Sequence, residues 1–563
     1  MKGKLFPEAF GIRDNVKKDK FLKERLNEAR RAISECGEIK SLPYSDFSLY
    51  YTTGSRGEYE DKYFAHRRLL NALAVAAASG DDCIKELQNI LWAIADEFTW
   101  AVPAHIPQGI SAFECTRQID LFAAETSFAL SEILYIFGDV LDETIKDRIR
   151  YEVRRRVLQP YLSGVKNSWD NRTNNWAAVC AGSVGASFLY LGSDDEIQKV
   201  LPRIKSTLEC YLKGFDDDGA CVEGLNYWIY GFGYYTYFAE LLRNYTDGKD
   251  NLFDNSKVES IAAFQQKIHL KNNNTVTFSD SGDRFIQRSG LSHFLSKRFD
   301  GVFALDDTSS LGFDGDACYR FAHIIRDFAW RDTDGAKMLG DSCGFEYFKN
   351  AAWYVRKAPI IEFAAKAGRN DESHNHNDIG SFIINADGKS VITDPGKGEY
   401  TSDYFGEKRY TYFAPSSLAH SVPVINGKEQ SGGEYFGEII KADNNSLVID
   451  FENAYDDKTL KKLRRSFDFS DSGIKLCDEF EFCEIPQSIT EHFVSAVKPK
   501  IQGDTIIMGD ITVKLDKGSF DCRISEKTFS TGHHQSKTVY LTDMCFKSMQ
   551  KSVTAEIYFS LKG

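Results

Sequence analysis

Two histidines, His374 and His376, lie two residues apart in RNDESHNHNDIGSF, and Asp394 follows the next apolar run. Residues i and i+2 of a β-strand share a face, so we expect both imidazoles to point the same way. Imidazole and carboxylate groups are typical ligands of a divalent metal, and His420 in SSLAHSVPVING could complete the set. The alternative is a pair of surface histidines on an exposed edge strand.

An asparagine-rich stretch, NSWDNRTNNW, passes directly into the apolar segment AAVCAGSVGASFLYL, with Asn174 and Asn175 at the predicted helix start. Asparagine is among the best helix N-caps, so capping is one interpretation. A side-chain amide at a helix N-terminus can also donate a hydrogen bond to an anion, because the helix dipole favours negative charge there. The sequence leaves both roles open.

A tyrosine-rich stretch, DDDGACVEGLNYWIYGFGYYTYF, contains Glu223 and, beside its glycines, Tyr227, Tyr230 and Tyr234. Buried tyrosines usually serve packing and satisfy their hydroxyl groups internally. Glycine next to a tyrosine nevertheless leaves open space beside the ring, which a sugar-binding groove needs. The stretch is therefore a candidate carbohydrate contact.

Apolar residues recur with helical period from residue 16 to about 335, as in KDKFLKERLNEARRAISEC and EIQKVLPRIKSTLECYLKGF. The segments come in pairs broken by SGDD, GSDDE and DGKDN, which is typical of stacked antiparallel helical hairpins. We predict an all-helical α/α toroid or solenoid domain over residues 1–340.

The pattern changes after Gly335 to short alternating runs such as GSFIINADGKSVITDPG, GIKLCDEFEFCE and VTAEIYFSLK. Many of these runs end in Asp-Gly, Asn-Gly or Gly-Asp turns, as antiparallel hairpins do. We predict an antiparallel β-sandwich over residues 341–563, with a small C-terminal β subdomain from about residue 435 as a variant of this division.

The composition excludes some classes of function. A formal net charge of -13 over 563 residues disfavours binding to nucleic acid or to an anionic membrane. The 12 cysteines are scattered singly and are expected to be reduced core residues, which favours the cytoplasm; an exported protein whose signal has been removed is the alternative. A monomer or a homodimer is expected.

Three ordered motifs carry a resemblance to a known family. NNW ahead of AAVCAGSVG, then EGLNYWIYG, then SHNHNDIGSF followed by ITDPG and AHSVPVINGKEQ resemble the heparinase II/III family of polysaccharide lyases, over about residues 95–430. That family includes heparin, heparan, chondroitin, hyaluronan and oligoalginate lyases. The resemblance implies an incomplete (α/α) toroid followed by an antiparallel β-sandwich, with the active cleft between them.

The resemblance also implies residue roles. Asn175, Tyr230 and His374 become the catalytic residues, with Tyr227 and Tyr234 as alternatives for the tyrosine. His376, Asp394 and His420 become ligands of a divalent metal with a mainly structural role, zinc in the first place and manganese or calcium as alternatives. The expected substrate contacts are His105, Arg172, Asn174, Glu223, Tyr227 and Arg409, and the loop FSDSGDRF is a further candidate to line the cleft.

The implied reaction is β-elimination on a 4-linked uronate glycan, which leaves a 4,5-unsaturated uronate end. The proton beside an ionised carboxylate is weakly acidic, so strong donors such as Asn175 must hold that carboxylate. A free phenol titrates near about 10, so Tyr230 needs a nearby cation, for which Arg172, His374 and Arg409 are candidates. When H5 and O4 lie on opposite faces, His374 can take the proton while Tyr230 donates to O4.

Two other functions remain open from the sequence. A glycoside hydrolase on an α/α toroid would use paired carboxylates, with Asp216, Asp217, Asp218 and Glu223 as candidates. A catalytically silent glycan-binding protein is the other. Within the lyase class, a glycosaminoglycan such as heparan, chondroitin or hyaluronan is the favoured acidic substrate, and an alginate oligosaccharide is the alternative.

Overall fold

A computed structural model describes residues 4–282, 284–340, 343–372, 374–401, 403–532 and 535–562. Asp283 and Ser373, which belong to motifs quoted above, lie outside the described residues. The chain divides into two compact units. The helical unit comprises Met1–Phe215, Tyr227–Ala262 and Ile286–Leu339, and the sandwich unit comprises Asp216–Asn226, Ala263–Phe285 and Gly340–Gly563.

The α-helices follow the helical period of the sequence. In chain order they are α1 (Ile12–Lys18), α2 (Lys20–Glu35), α3 (Tyr44–Thr53), α4 (Gly57–Ser79), α5 (Ile84–Asp96), α6 (Ala112–Cys115), α7 (Leu121–Phe137), α8 (Glu143–Val153), α9 (Gln159–Leu162), α10 (Asn175–Leu191), α11 (Asp194–Leu212), α12 (Leu225–Tyr227), α13 (Gly233–Tyr245), α14 (Ser256–Ala262), α15 (Phe264–Ile268), α16 (Ser289–Arg298) and α17 (Phe321–Trp330). Two π-helical turns, Arg154–Leu158 and Trp228–Phe232, precede α9 and α13.

Helix α10 lies at the centre of the helical unit and packs against α7, α11 and α13. Its small residues make this close packing feasible: a Cβ at Gly185 would meet the Phe238 ring of α13 at 2.4 Å. Helices α7 and α10 are buried almost all round, as expected of helices that are apolar on every face. The N-terminus of α10 and the chain leading into α13 carry two of the predicted site residues.

The strands are β1 (His269–Leu270), β2 (Asn274–Thr275), β3 (Gly344–Phe348), β4 (Trp353–Lys357), β5 (Ile361–Lys366), β6 (Gly368–Asn370), β7 (Phe382–Ala386), β8 (Lys389–Ile392), β9 (Val424–Ile425), β10 (Gly433–Ala442), β11 (Ser446–Asp450), β12 (Leu460–Ser470), β13 (Gly473–Phe482), β14 (Ile489–Ser495), β15 (Lys500–Gln502), β16 (Thr505–Met508), β17 (Ile511–Lys514), β18 (Phe520–Gly532), β19 (Gln535–Phe546) and β20 (Ser552–Leu561). Among the described residues, two nine-stranded antiparallel sheets form. The first has the order β15-β16-β17-β20-β13-β12-β11-β10-β6, and the second has the order β18-β19-β14-β8-β7-β5-β4-β3 with β9 paired to β14 as its ninth strand.

Phenylalanines from both sheets form the core of the sandwich unit. Phe363 of β5 and Phe382 of β7 meet Phe467 of β12 with ring centroids 4.7 and 5.1 Å apart, and Phe382 also meets Phe559 of β20 at 5.7 Å. Alternating side chains of antiparallel strands fill such a two-sheet core. The predicted antiparallel sandwich is therefore confirmed.

Two segments that precede residue 340 belong to the sandwich unit, namely 216–226 and 263–285. They carry Glu223 and the FSDSGDRF loop, and Ser279 Oγ of the second segment donates a hydrogen bond to the Val222 carbonyl of the first at 2.8 Å. Tertiary contacts of this kind, rather than local sequence pattern, decide to which unit a short irregular segment belongs.

The described chain offers no membrane span, because none of its helices combines the required length with sufficient apolar character. All 12 cysteines are unpaired in the structure. Cys115, Cys180 and Cys221 are buried, whereas Cys343 and Cys483 are exposed, so the expectation of core positions holds for only part of the set.

Candidate active site

Tyr230 lies in the π-helical turn Trp228–Phe232 of the helical unit, a type of turn that is frequent at functional sites. Its side chain is 8% exposed, and its hydroxyl donates a hydrogen bond to Oε1 of Glu125 on α7. The guanidinium carbon of Arg320 lies 3.8 Å from the centre of the Tyr230 ring. A carboxylate and a cation therefore both contact this phenol.

Burial controls the proton affinities of this pair. It raises the pKa of Glu125 to about 7, against the charge of Arg320 and the hydrogen bond from Tyr230, which both lower it. Burial and the Glu125 carboxylate raise the pKa of Tyr230 well above its ordinary value, and Arg320 opposes that shift. Tyr230 is therefore a neutral phenol at neutral pH.

The three candidate tyrosines differ in their surroundings. Tyr234 is 1% exposed, and its ring packs among Phe128, Tyr237 and His323 inside the helical unit. Tyr227 is half-buried at the end of α12. Tyr230 contacts both the Glu125 carboxylate and the Arg320 guanidinium, which favours it as the reactive phenol.

The two asparagines at the start of α10 have separate roles. Asn174 is the N-cap, and its side-chain oxygen accepts a hydrogen bond from the Trp176 amide at 3.3 Å. Asn175 is the first helical residue, is buried, and makes no side-chain hydrogen bond with the described residues. Its Cβ would lie 3.1 Å from a Cβ at Gly231, so glycine there lets Asn175 approach the backbone next to Tyr230.

His105 and Arg172 both contact Trp176, which follows Asn175. The His105 ring contacts the Trp176 ring edge to face at 4.9 Å and stacks on Phe122 at 5.7 Å. Its Nδ1 is 2.7 Å from the Asp120 carboxylate, which fixes the orientation of the ring. Arg172 is exposed, with its guanidinium carbon 5.4 Å from the centre of the Trp176 ring.

The sandwich unit contains a second group, the Asp280 cluster, formed by Asp280, His374, His376, Tyr404 and Arg409. Asp280 Oδ2 lies 2.8 Å from His374 Nδ1 and accepts from Arg409 at 3.1 Å. Asp280 Oδ1 lies 3.0 Å from His376 Nε2 and accepts from the Tyr404 hydroxyl at 2.8 Å. Burial opposes ionisation, but hydrogen bonds from both histidines and the charge of Arg409 lower the pKa of Asp280.

The predicted strand at His374 and His376 is wrong. Both residues lie in the loop between β6 and β7, and His374 has a left-handed backbone conformation with φ 59°. The two rings are brought to one carboxylate by this loop rather than by the pleat of a strand. His374 Nε2 lies 3.8 Å from Glu223 Oε1, so the predicted contact residue Glu223 also belongs to this region.

Arg409 is held inside the sandwich unit. Its Nε donates to the Asn375 carbonyl at 3.0 Å, and its other nitrogens donate to the Tyr404 carbonyl at 3.3 Å and to Asp280 at 3.1 Å. Arg172 contacts Trp176 instead of Tyr230. The cation beside the Tyr230 phenol is thus Arg320, which was not among the expected candidates.

If His374 has the catalytic role that the family resemblance implies, replacing Arg409 with glutamine is expected to lower kcat by about 10-fold while KM changes little, because Arg409 and His374 both contact Asp280. Arg172→Gln is the matched control: the exposed Arg172 should affect KM more than kcat. Steady-state kinetics of both variants measure this split. A rise in KM alone for Arg409→Gln would make Arg409 a substrate contact, as the family resemblance implies.

His376, Asp394 and His420 converge inside the sandwich unit, with one possible ligand atom of each within 4.8 Å of the others. All three are fully buried, Asp394 Oδ2 lies 3.0 Å from His420 Nδ1, and His376 Nδ1 has no hydrogen-bond partner among the described residues. The opposite ring nitrogens are held by Asp280 for His376 and by the Ala414 carbonyl, at 3.0 Å, for His420. Both imidazoles thus present Nδ1 to a common point, which is the arrangement of metal-binding histidines.

Three of the four carboxylates proposed for a glycoside hydrolase, Asp216, Asp217 and Asp218, are exposed or hold a turn. Asp216 and Asp217 are exposed. Asp218 accepts hydrogen bonds from the Ala220 and Asn350 amides at 3.0 Å each. Asp218 therefore holds a turn and the segment before β4, which is a structural role.

Three residues of these sites escaped the sequence analysis, namely Glu125, Arg320 and Tyr404. Glu125 had one detectable signal, because it is a carboxylate inside an otherwise apolar helix, in LFAAETSFALSEIL. A buried acid in such a helix requires a partner. Asp280 lies in the FSDSGDRF loop, which was expected only to line the cleft.

Residues 339–520 match the family model described as heparinase II/III-like, C-terminal. A solved heparinase III shares the fold with TM-score 0.63 and 15% identity, over 93% of this chain and 79% of that chain. Heparan sulfate lyase HepC from Pedobacter heparinus gives TM-score 0.59 and 16% identity, over 97% and 83% of the two chains. Chondroitin AC lyase from Streptomyces coelicolor A3 gives TM-score 0.59 and 11% identity, over 99% and 82%.

Comparison with curated protein sequences gives no match. The likenesses to solved structures confirm the predicted fold class, a helical toroid followed by an antiparallel β-sandwich. The family model confirms the motif resemblance for the part of the chain that carries His374, His376, Asp394 and His420.

Proposed function

We propose that this protein is a lyase that cleaves a 4-linked, uronate-containing glycan by β-elimination and leaves a 4,5-unsaturated uronate end. The observation that carries the proposal lies in the helical unit. The side chain of Asn175, which makes no hydrogen bond with the described residues, lies close to the backbone of Gly231, next to Tyr230. The Tyr230 phenol contacts Glu125 and Arg320. The family match of residues 339–520 and the fold shared with solved lyases support the same reaction class.

Asn175 answers the first requirement of the reaction. Removing H5 of a uronate places a second negative charge beside an ionised carboxylate, so that carboxylate must be held by preorganised donors. The Asn175 side-chain amide lies at the N-terminus of α10, where the helix dipole favours an anion. Its N–H groups donate no hydrogen bond to the described residues, so they can donate to a ligand. In the proposed reaction this amide donates to the uronate carboxylate.

Tyr230 answers the second requirement. When H5 and O4 leave on the same face, one phenol can take H5 and then deliver a proton to the departing O4. The contact of Arg320 with the ring stabilises negative charge that develops on the phenol oxygen. No separate acid is needed for the leaving oxygen in this case.

His374 extends the reaction to the epimeric uronate. Its Nδ1 lies 2.8 Å from the Asp280 carboxylate, an arrangement that orients the ring. When H5 and O4 lie on opposite faces, His374 takes the proton and Tyr230 donates to O4. Glucuronate and iduronate are both substrates under this assignment.

We propose that His376, Asp394 and His420 hold a divalent metal ion, zinc in the first place. Burial acts against the charged forms, but the Asp394 carboxylate raises the pKa of His420, and His420 lowers that of Asp394. A metal ion would replace the proton shared within this pair. Such an ion would tie the loop after β6 to the segments after β8 and before β9, and it would supply stability rather than a step of the reaction.

The substrate class is acidic and glycan-based, with a glycosaminoglycan favoured and an alginate oligosaccharide as the alternative. The chain carries a net charge of -13, so local cations must attract an anionic polymer. The exposed Arg172 beside Trp176 is one such cation. The neighbours whose names specify a substrate act on heparan sulfate, chondroitin sulphate and xanthan, all of them acidic polysaccharides.

The test is incubation of the purified protein with heparin, heparan sulfate, chondroitin sulfate, hyaluronan, alginate and xanthan, followed by ultraviolet absorbance of the new conjugated double bond. At least one substrate should give this absorbance together with new chain ends. Chain ends without the absorbance would indicate a hydrolase, and binding without cleavage would indicate a glycan-binding protein.

Replacing Asn175 with alanine is expected to lower kcat/KM by about 100- to 1,000-fold, the usual effect of removing one donor to a developing anion. The melting temperature should change little because Asn174, not Asn175, caps the helix. Asn174→Ala is the matched control, which should cost about 1 kcal/mol of stability with a smaller effect on activity. Equal losses of activity in the two variants would assign Asn175 a structural role only.

A further inference from the structure

Glu125 is a buried carboxylate whose role the family motifs do not specify. It lies on α7, one turn after the N-cap Asp120, and it accepts the hydrogen bond of the Tyr230 hydroxyl. Its side chain is 9% exposed. A carboxylate in such a position must have a partner or a function, because an isolated buried charge is costly.

A second acid on the same helix shows what a purely structural partner looks like. Glu132 is fully buried and forms a bidentate pair with Arg326, with N–O distances of 2.8 and 3.0 Å. It also accepts from the Tyr190 hydroxyl at 2.7 Å. Its charge is thus neutralised by direct hydrogen bonds from a guanidinium.

Glu125 lacks such neutralisation. Its nearest cation is Arg320, whose Nε lies 3.5 Å away, while the same guanidinium donates to Asp316 at 2.7 Å. The described hydrogen bond of Glu125 comes from the phenol of Tyr230 alone. Glu125 is therefore held next to an exchangeable proton without a tightly bound cation.

We propose that Glu125 is a positioning residue that exchanges the phenolic proton of Tyr230 during β-elimination. As Tyr230 removes H5, its own proton moves to Glu125, the C5–H bond breaks and the phenol is re-formed with the proton from C5. As the C4–O4 bond breaks and the C4–C5 double bond forms, Tyr230 protonates O4 and Glu125 returns the proton to the phenol. The inference rests on the proposed lyase function.

This exchange explains how a phenol that is neutral at neutral pH can act as a base. The pKa of Tyr230 is raised by burial, so a free phenolate does not accumulate at neutral pH. The pKa of Glu125 lies at about 7, which places it near the working pH of a proton acceptor. Arg320, against the phenol ring, stabilises the transient negative charge on either oxygen.

The pH dependence follows from the ionised form of Glu125, which alone accepts a proton. Activity should therefore fall as the pH drops through about 7. The titratable and charged groups that face Glu125 or Tyr230 from α7, α10, α13 and the segment before α17 are Asp120, Cys180, Tyr234, Asp316, Cys318 and Arg320. Of these, Asp316 has its pKa lowered by Arg320 and Arg288 despite burial, and the pKa values of Cys180 and Cys318 are raised by burial.

The decisive variant is Glu125→Gln in the full chain, because the glutamine amide oxygen still accepts the Tyr230 hydrogen bond but cannot take its proton. We expect kcat to fall by at least about 100-fold with KM within about threefold of the wild type. The acidic limb of the kcat profile near pH 7 should disappear in the residual activity. Glu125→Asp, which keeps a carboxylate, should recover part of kcat and keep the limb.

Glu132→Gln is the matched control, since it also replaces a buried acid of α7. It should lower the melting temperature without moving the pH profile. A Glu125→Gln variant with kcat within about threefold of the wild type, or with an unchanged acidic limb, would overturn the inference and leave the lyase function intact. A wild-type protein that gives no unsaturated product from any tested glycan would instead refute the proposed function.

Discussion

Tyr230→Phe is expected to lower kcat by about 10,000-fold while leaving KM nearly unchanged, because in the proposed reaction one hydroxyl serves as both base and acid for the same substrate. The phenylalanine ring keeps the contact with Arg320 and the packing of the π-helical turn, so the fold should not suffer. Absorbance of the unsaturated product measures kcat, and a glycan-binding titration measures the retained affinity.

Tyr234→Phe is the control for this result. Its ring lies one helical turn away, at a centroid distance of 5.7 Å from Tyr230, and it is surrounded by other aromatic rings. It should retain activity within about threefold of the wild type, since its hydroxyl has no place in the reaction. A fully active Tyr230→Phe together with an inactive Tyr234→Phe or Tyr227→Phe would transfer the role to that tyrosine.

The class of each half of the fold could be predicted from the sequence because periodicity is a local property. The helical period up to about residue 335 and the alternating runs after it each indicate an element with one buried face. The structure has mainly helices in the first region and strands in the second. The placement of segments 216–226 and 263–285 in the sandwich unit could not be predicted in this way. They are short and irregular, so their position depends on partners distant in sequence.

The sequence indicated the site residues that belong to the family motifs, but it did not indicate the partners that lie outside them. The His376, Asp394 and His420 set was proposed from the HxH pair and the family resemblance, and the structure brings these three together. Glu125 and Tyr230 are 105 residues apart, and Asp280 and His374 are 94 apart, so no local pattern connects them. A buried acid in an apolar helix indicates that a partner exists without specifying which one.

Arg172 and Arg409 show that the sequence did not identify which cation contacts Tyr230. Both were expected to support the Tyr230 phenol, because a nearby cation is chemically required. The cation that contacts the Tyr230 ring is Arg320, while Arg409 donates to Asp280 and Arg172 contacts Trp176. Chemical reasoning thus identified the kind of group that the site needs, and packing determined which residue supplies it.

If the sandwich unit holds the proposed metal ion, its loss is expected to produce the largest effect on stability. A structural ion present at about 1,000 times its dissociation constant stabilises the folded state by about 4 kcal/mol. For a unit of this size, that corresponds to a fall in melting temperature of about 8–16 °C when a chelator removes the ion. His420→Ala should bind less than one equivalent of zinc by elemental analysis, and its melting temperature should no longer respond to the chelator.

His492→Ala is the matched control for the metal prediction, because His492 is also a buried histidine of the sandwich unit but is held by Asp543 at 2.6 Å and the Leu418 carbonyl at 3.0 Å. It should be less stable than the wild type yet retain one metal ion and its response to the chelator. If the wild-type protein, purified with added zinc, contains no metal and melts at the same temperature with and without chelator, His376, Asp394 and His420 form a buried ion-pair network alone. The buried His376 Nδ1, which has no hydrogen-bond partner among the described residues and lies in the same group as Asp394 and His420, favours a bound metal ion, since such a buried atom is costly unless a cation joins it.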